Sequence, residues 1–323
     1  MPGLFPESMR RWGRRAAFCA VAAGIWTGSS RVATAQETVT RDSSPWRPAL
    51  ALGVVGGTSV ASWVLVSAAW WTQENASSRF LWRDEGTFGL DSYAGGADKV
   101  GHFYANYVMT RAYSDVLAWG GFDRAAALAS ATVLTTGFFT AIELKDAYQR
   151  RYGFSAGDVV ANLTGQGAAF AMMLVPGLDD AISFRLMYFP SRDFRRELGA
   201  RGAPNFAEDY SGQIYLWAFH LAALDVARPG ESLGSLRYFD VSVGFGTRGF
   251  EPLPRAPEPV SQLLMLGLSV NLQTFFDDLL DEPPRPRGAG AAVVHFTNEV
   301  LQLPYIFVPV LSYERLGPPA VPH

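Results

Sequence analysis

The stretch GGADKVGHFYANY, Gly95 to Tyr107, sets Asp98 and His102 four residues apart. On a helix that spacing puts both side chains on one face, with Lys99 beside them. Two later groups carry the same kind of residue. Glu143 and Asp146 follow a long uncharged run, and Ser155, Asp158, Asn162 and Gly165 open another. One histidine with several carboxylates can work as a general acid/base pair, His102 being the proton carrier and Asp98, Glu143, Asp146 and Asp158 orienting it. The same set could hold a divalent cation through oxygen and imidazole. The spacing is neither H-x-x-x-H nor H-E-x-x-H, so the identity of any metal is unknown. No nucleophile elbow, phosphate loop or nucleotide fingerprint is present, and no cofactor is expected.

Plainer roles fit the same residues. Ser155 with Asp158 makes an acceptable capping box. Asp98 could be a first-turn carboxylate favoured by the helix dipole. His102 could be a satisfied buried histidine, and Glu143 with Asp146 a solvated helix end. Asn162 fits solvation least well, because its neighbours are apolar; a hydrogen bond to another helix suits it better. Lys99, Ser155, Asn162 and Gly165 are therefore read as a structural polar cluster around the candidate acid/base residues. Whether the set acts or stabilises stays open at this point.

Four helices must position these residues. Pro48 to Trp71 runs without a charge, is long enough to span a bilayer, and is rich in Gly, Ala and Ser. A second helix is expected from about Asp98 to Trp119, with Arg111 and Asp115 available as an i, i+4 pair. Gly120-Gly121 ends it. A third runs from about Asp123 to Tyr148. A fourth opens at Ser155 and stops at Pro176-Gly177; its Ala161, Gly165 and Ala169 form a small-residue stripe. The short link between the third and fourth makes them antiparallel neighbours, so Glu143 and Asp146 should meet Asp158 and Asn162. Asp98 and His102 join them if the second helix starts at that same end.

Past about residue 200 the period changes to two. RYFDVSVGFGTR and LLMLGLSVNLQ alternate apolar with polar or small residues, and SGQIYLWAFHLAAL is a third strand candidate. A helix near Ala291 to Leu301 and a last strand near Tyr305 to Tyr313 complete the reading. Residues 251–260 and 283–288 are Pro-rich connections. The expected fold is α+β: about four mostly apolar helices, then a small antiparallel sheet with one further helix. Three or four strands cannot close a membrane barrel, which needs about eight, so their apolar face must pack on helices or touch lipid.

The chain has 323 residues, 18% of them charged against roughly 25% in ordinary soluble proteins, and nine tryptophans. A net charge of −3 gives no sign of nucleic-acid binding. Basic Arg10, Arg11, Arg14 and Arg15, the apolar AAFCAVAAGIW and the A-x-A site at Ala33 to Ala35 read as a secretory signal over 1–35. A flexible mature N-terminus would cover 36–47, the helical bundle 48–200 and a strand-rich domain 201–323. Cys19, the single cysteine, lies within the signal, so the mature chain would have no thiol chemistry.

DKVGHFYANY, then Glu143 with Asp146, then GFSAGDVVANLTG together resemble the YfiM-like family of bacterial predicted periplasmic lipoproteins, a family of unknown function. A looser similarity runs to VanZ-like membrane proteins. The matching positions are Asp98, Lys99, Gly101, His102, Glu143, Asp146, Ser155, Asp158, Asn162 and Gly165. The resemblance implies an envelope protein, although the lipidation signal of that family is missing around Cys19. It implies no substrate. The expectation is a membrane-associated structural or interaction protein of the cell envelope, periplasmic or membrane-bound, with envelope lipid as its partner and no known protein partner. The alternatives are an enzyme acting on envelope lipid or glycan through the His/carboxylate set, and a lipid-binding module.

Overall fold

The computed structural model describes residues 44–71, 73–84, 86–201, 206–227, 233–250, 259–279 and 289–319. The signal segment with Cys19, most of the polar N-terminus and most of both Pro-rich connections lie outside the described residues. Four long helices come first: α1 (Arg47–Trp70), α2 (Ala97–Trp119), α3 (Arg124–Asp146) and α4 (Ala156–Leu174). Each begins and ends where local chemistry dictates. Proline stands in the first turn of α1, and the Asp123 carboxylate accepts from the amides of Ala125 and Ala126 at the head of α3. Ser155 accepts from the Asp158 amide at the head of α4.

The packing of these helices follows from side-chain pairs. Val55 of α1 packs with Tyr113, Leu117, Ala127 and Ala131, joining α1, α2 and α3. Ser59 and Tyr113 share a 2.7 Å hydrogen bond. Thr110 of α2 meets Thr135 of α3 at 3.0 Å, and Gln166 of α4 donates to Thr135 and Thr136 at 2.9 and 2.8 Å. This polar layer halfway along the bundle ties three helices with satisfied hydrogen bonds, which an apolar interior requires. A short parallel pair, β1 (Trp82–Arg83) with β2 (Phe154–Ser155), pins the segment before α2 to the head of α4.

Beyond α4 come α5 (Leu178–Ala181), β3 (Ile182–Tyr188), α6 (Arg192–Arg201), β4 (Gln213–His220), α7 (Ala222–Ala227), β5 (Phe239–Arg248) and β6 (Pro259–Val270). The chain then adds α8 (Leu272–Leu279), α9 (Ala289–Val300), β7 (Leu301–Gln302) and β8 (Phe307–Pro319). The sheet has six strands in the order β7-β3-β4-β5-β6-β8. This corrects the expected three or four antiparallel strands with one further helix. β7 lies parallel on β3, and five further helices follow α4 among the described residues. The strand ISFRLMY reads as a connection because an arginine sits at its centre, yet its period is two and its arginine faces a polar partner. Arg111 also differs from expectation. It bonds Glu299 of α9 and its own neighbour Tyr107.

The two faces of the sheet differ: the buried face mixes apolar Leu216, Ala218 and Met265 with an unusual number of polar residues. The face carrying Arg185, Ser183, His220, Asp240, Ser242 and Ser269 is buried. Arg185 donates to Asp240 at 2.7 Å and to Gln302 at 3.0 Å, and Asp240 also takes His220 at 2.7 Å and Asn271 at 3.0 Å. The other face is apolar. Register sets Phe184, Trp217, Val243, Leu266 and Leu311 in one row across it. Helix α2 covers one side of that face: Phe103 and Tyr107 stack edge-on against Phe184, and Tyr104 against Tyr215. Trp217, Leu264, Leu266, Leu268 and Leu311 remain exposed.

Candidate functional site

The start of α2 is built by an unusual backbone. Ala94, Gly95 and Gly96 all have positive φ, at 51°, 62° and 88°. Three such residues in a row turn the chain sharply, and glycine makes that turn without steric cost. The Gln262 amide of β6 holds the turn, donating to the carbonyls of Gly95 at 2.7 Å and Phe88 at 3.0 Å. Asp98 and Lys99 follow in the first turn of α2.

Helices α2 and α4 run parallel with their starts together. Lys99 Nζ lies 2.7 Å from Asp158 Oδ1 and 3.2 Å from Asp98 Oδ2. One turn on, His102 Nδ1 lies 3.0 Å from Asn162 Oδ1. A further turn on, Gly165 makes the approach possible, since a Cβ there would fall 2.1 Å from the Phe103 carbonyl oxygen. Gly165 is thus the packing contact beneath the polar set. Helix α3 runs antiparallel to α2 and delivers Glu143, whose Oε1 is 3.6 Å from His102 Nδ1. Asp146, one turn later, accepts from Trp71 Nε1 at 2.6 Å.

The hydrogen bonds define the imidazole. Asn162 Oδ1 accepts from the Asn106 amide at 2.5 Å, so the same oxygen also accepts from His102 Nδ1–H. That leaves Nε2 directed to Asp98, whose Oδ1 is 3.8 Å away. Asp98 Oδ1 is in turn held by the Tyr210 hydroxyl at 2.9 Å. Burial works against a charged imidazole, but the carboxylates of Asp158, Asp98 and Glu143 outweigh it and raise His102 to about 9. Burial also pushes Asp158 up, helped by the charge of Asp98, to about 6. Burial acts on Asp98 in the same direction, yet His102 and Lys99 hold it below the ordinary carboxylate value.

Asp98, His102, Asp146 and Asp158 line one cavity. Tyr93, Tyr152 and Tyr210 also line it, together with Arg83 and Glu208. Tyr152 donates to Glu208 at 2.8 Å, and burial raises the hydroxyl pKa of all three tyrosines. All three stay neutral there; Tyr152 and Tyr210 act as donors, and the Tyr93 hydroxyl has no hydrogen-bond partner among the described residues. The ligand atoms of Asp98, His102 and Asp158 lie within 4.8 Å of one another. Chemically, the set can pass a proton at Nε2 or hold a cation there.

The structure therefore brings Asp98, Lys99, His102, Glu143, Asp158 and Asn162 into contact and sets Asp146 on the same cavity. Ser155 acts as the cap that starts α4. Sequence reasoning missed Asn106, Tyr210, Glu208, Tyr93, Tyr152 and Arg83. Asn106 had a signal, being four residues after His102 on the same face. Tyr210 had none, since 112 residues separate it from Asp98.

Compared with known families, residues 84–175 match the one described as "Predicted periplasmic lipoprotein (DUF2279)", a family of unknown function. The match covers less than a third of the chain, and it contains the whole α2–α4 polar set. It supports an envelope or periplasmic location. It lends nothing to the narrower YfiM-like name or to VanZ-like proteins. Neither curated proteins nor solved structures give a match.

Proposed function

We propose that the protein works at a membrane of the bacterial cell envelope, as a membrane-associated structural or interaction protein. The observation that carries this reading is the surface of α1. The helix has 24 residues and a mean hydropathy of 1.9 over its most apolar window, of which 11% is buried. A core helix of a soluble protein would be mostly covered. Val60, Val64 and Leu65 point outward, a costly arrangement in water and a favourable one in lipid. Carbonate extraction of membranes from cells making the full chain tests the reading. The protein is expected in the pellet; complete release into the supernatant would refute an embedded α1.

A second reading, an enzyme that processes envelope lipid or glycan, is favoured by one specific observation. The cavity that holds His102 and its carboxylates is also lined by Trp70, the last residue of α1. A polar site at the end of an apolar helix lies where the headgroup of a lipid or a linked glycan would sit. In this reading His102 moves the proton, Asp98 and Asp158 orient it, and Arg83 attracts an anionic headgroup. Incubating purified protein with labelled envelope lipid extract is the test. Turnover by the parent and none by His102→Gln would support it.

A further inference from the structure

We propose that Asp98, His102 and Asp158 bind one divalent transition-metal ion, Mn²⁺ or Zn²⁺, through His102 Nε2 and one oxygen of each carboxylate. The proposal stands independently of the membrane reading.

Three separate features point to it. The first is geometry. Three ligand atoms within 4.8 Å of one another enclose a point about 2.8 Å from each at most, and bond lengths of roughly 2.0–2.2 Å need only small side-chain shifts. The second is the support behind the imidazole. A metal-bound histidine usually donates its other ring N–H to an oxygen that fixes the ring, and Asn162 Oδ1 does so for Nδ1, itself oriented by Asn106. Nε2 is left with no hydrogen-bond partner on the cavity side. The third is Glu143. Its side chain is 2% exposed, its Oε1 has no hydrogen-bond partner, and it is directed at His102. A buried carboxylate oxygen without a donor is expensive, and positive charge on the imidazole, whose Nδ1 it faces at 3.6 Å, offsets that cost; a metal on Nε2 would supply such charge.

Lys99 bridges the two aspartates and is the rival explanation for their pairing. It does not account for the cavity, or for the Nε2 edge of His102 that faces it without a hydrogen bond; an ion bound there takes the place of the proton that the neighbouring carboxylates otherwise hold on Nε2. One histidine with two carboxylates suits Mn²⁺ or Zn²⁺ better than an all-oxygen ion such as Ca²⁺. The remaining coordination positions would face the cavity, where Asp98 and His102 are slightly exposed at 14% and 17%, giving an ion a way in.

The test uses the full chain in detergent, stripped with EDTA, reloaded with MnCl₂ or ZnCl₂ and desalted. Elemental analysis should find one equivalent per chain, and the electron paramagnetic resonance of bound Mn²⁺ should show coupling to one imidazole nitrogen. His102→Gln and Asp158→Asn should each weaken binding about ten-fold or more. Metal content at background after reloading the parent would overturn the proposal and leave Lys99 and a protonated His102 as the counter-ions of the two aspartates. So would bound Mn²⁺ without nitrogen coupling, a result that needs no variant to fold. Equal stoichiometry in folded variants would overturn it as well.

Discussion

At the scale of single residues, Asn162 decides which nitrogen of His102 meets the cavity. Its side-chain oxygen takes two donors, the imidazole Nδ1–H and the Asn106 amide. Asn162→Ala would leave the imidazole Nδ1–H without its acceptor and the Asn106 amide with the His102 carbonyl alone, and a buried donor left unpaired costs about 1–3 kcal/mol. We expect denaturant unfolding in detergent to show a loss of at least that size. Asn162→Asp keeps an acceptor and should recover most of it. If alanine and aspartate behave alike, the shared acceptor is not what holds the ring. Asn162 was legible in the sequence because a mid-helix amide among apolar residues needs a partner on another helix. Its co-donor Asn106 obeyed the same logic and was passed over. Tyr210 and Glu208 were invisible for a different reason: they reach the site from the segment before β4, and no local periodicity reports a contact made across the fold.

Among elements, the close contact of α2 with α4 sets the whole site, and Gly165 is where it is tightest. A methyl group there would fall 2.1 Å from a backbone oxygen that cannot rotate away. Gly165→Ala must therefore push the helices apart, and overpacking of this kind costs about 1–3 kcal/mol. The polar contacts below it, His102 with Asn162 one turn down and Lys99 with Asp158 two turns down, should loosen with it. A lowered melting temperature together with weakened Mn²⁺ binding is the expected result; a lowered temperature with unchanged binding would show that the site does not depend on this approach. On the sheet, Arg185→Met takes the guanidinium from buried Asp240 and leaves it His220 and Asn271 as partners; breaking a buried ion pair costs about 3–5 kcal/mol, which those two hydrogen bonds reduce. The same change at exposed Arg196, paired with Asp193, should go unnoticed in the same melt. The four long helices were legible from long uncharged or amphipathic runs and, for α2 and α4, from a chemical stop at Gly120-Gly121 or Pro176-Gly177. Strand β3 was not, because a central arginine looks like a surface residue until its buried partner, two strands away, is known.

For the molecule as a whole, the distribution of polarity is the unusual feature. A soluble sheet buries its apolar face and wets its polar one. Here the face with Arg185, Asp240 and His220 is buried, while much of the face with Trp217, Leu264, Leu266 and Leu268 is bare. The sequence already allowed two fates for that apolar face, helices or lipid. Among the described residues α2 covers one side of it, and Trp217, Leu264, Leu266, Leu268 and Leu311 on the other stay exposed. The sheet face and α1 each leave several large apolar side chains exposed. If lipid covers the sheet face, charge placed there should act on partitioning and not on folding. Leu266 and Leu268 are 41% and 45% exposed and face away from the buried network, so the double change Leu266→Glu, Leu268→Glu removes little packing. Its melting temperature in detergent should stay close to that of the parent, while its recovery with liposomes in a flotation gradient should fall several-fold. The helix α1 remains in this variant, so residual binding measures what α1 contributes alone. A large fall in melting temperature with unchanged flotation would mean that the bare face is covered by protein, and that lipid contact belongs to α1 only.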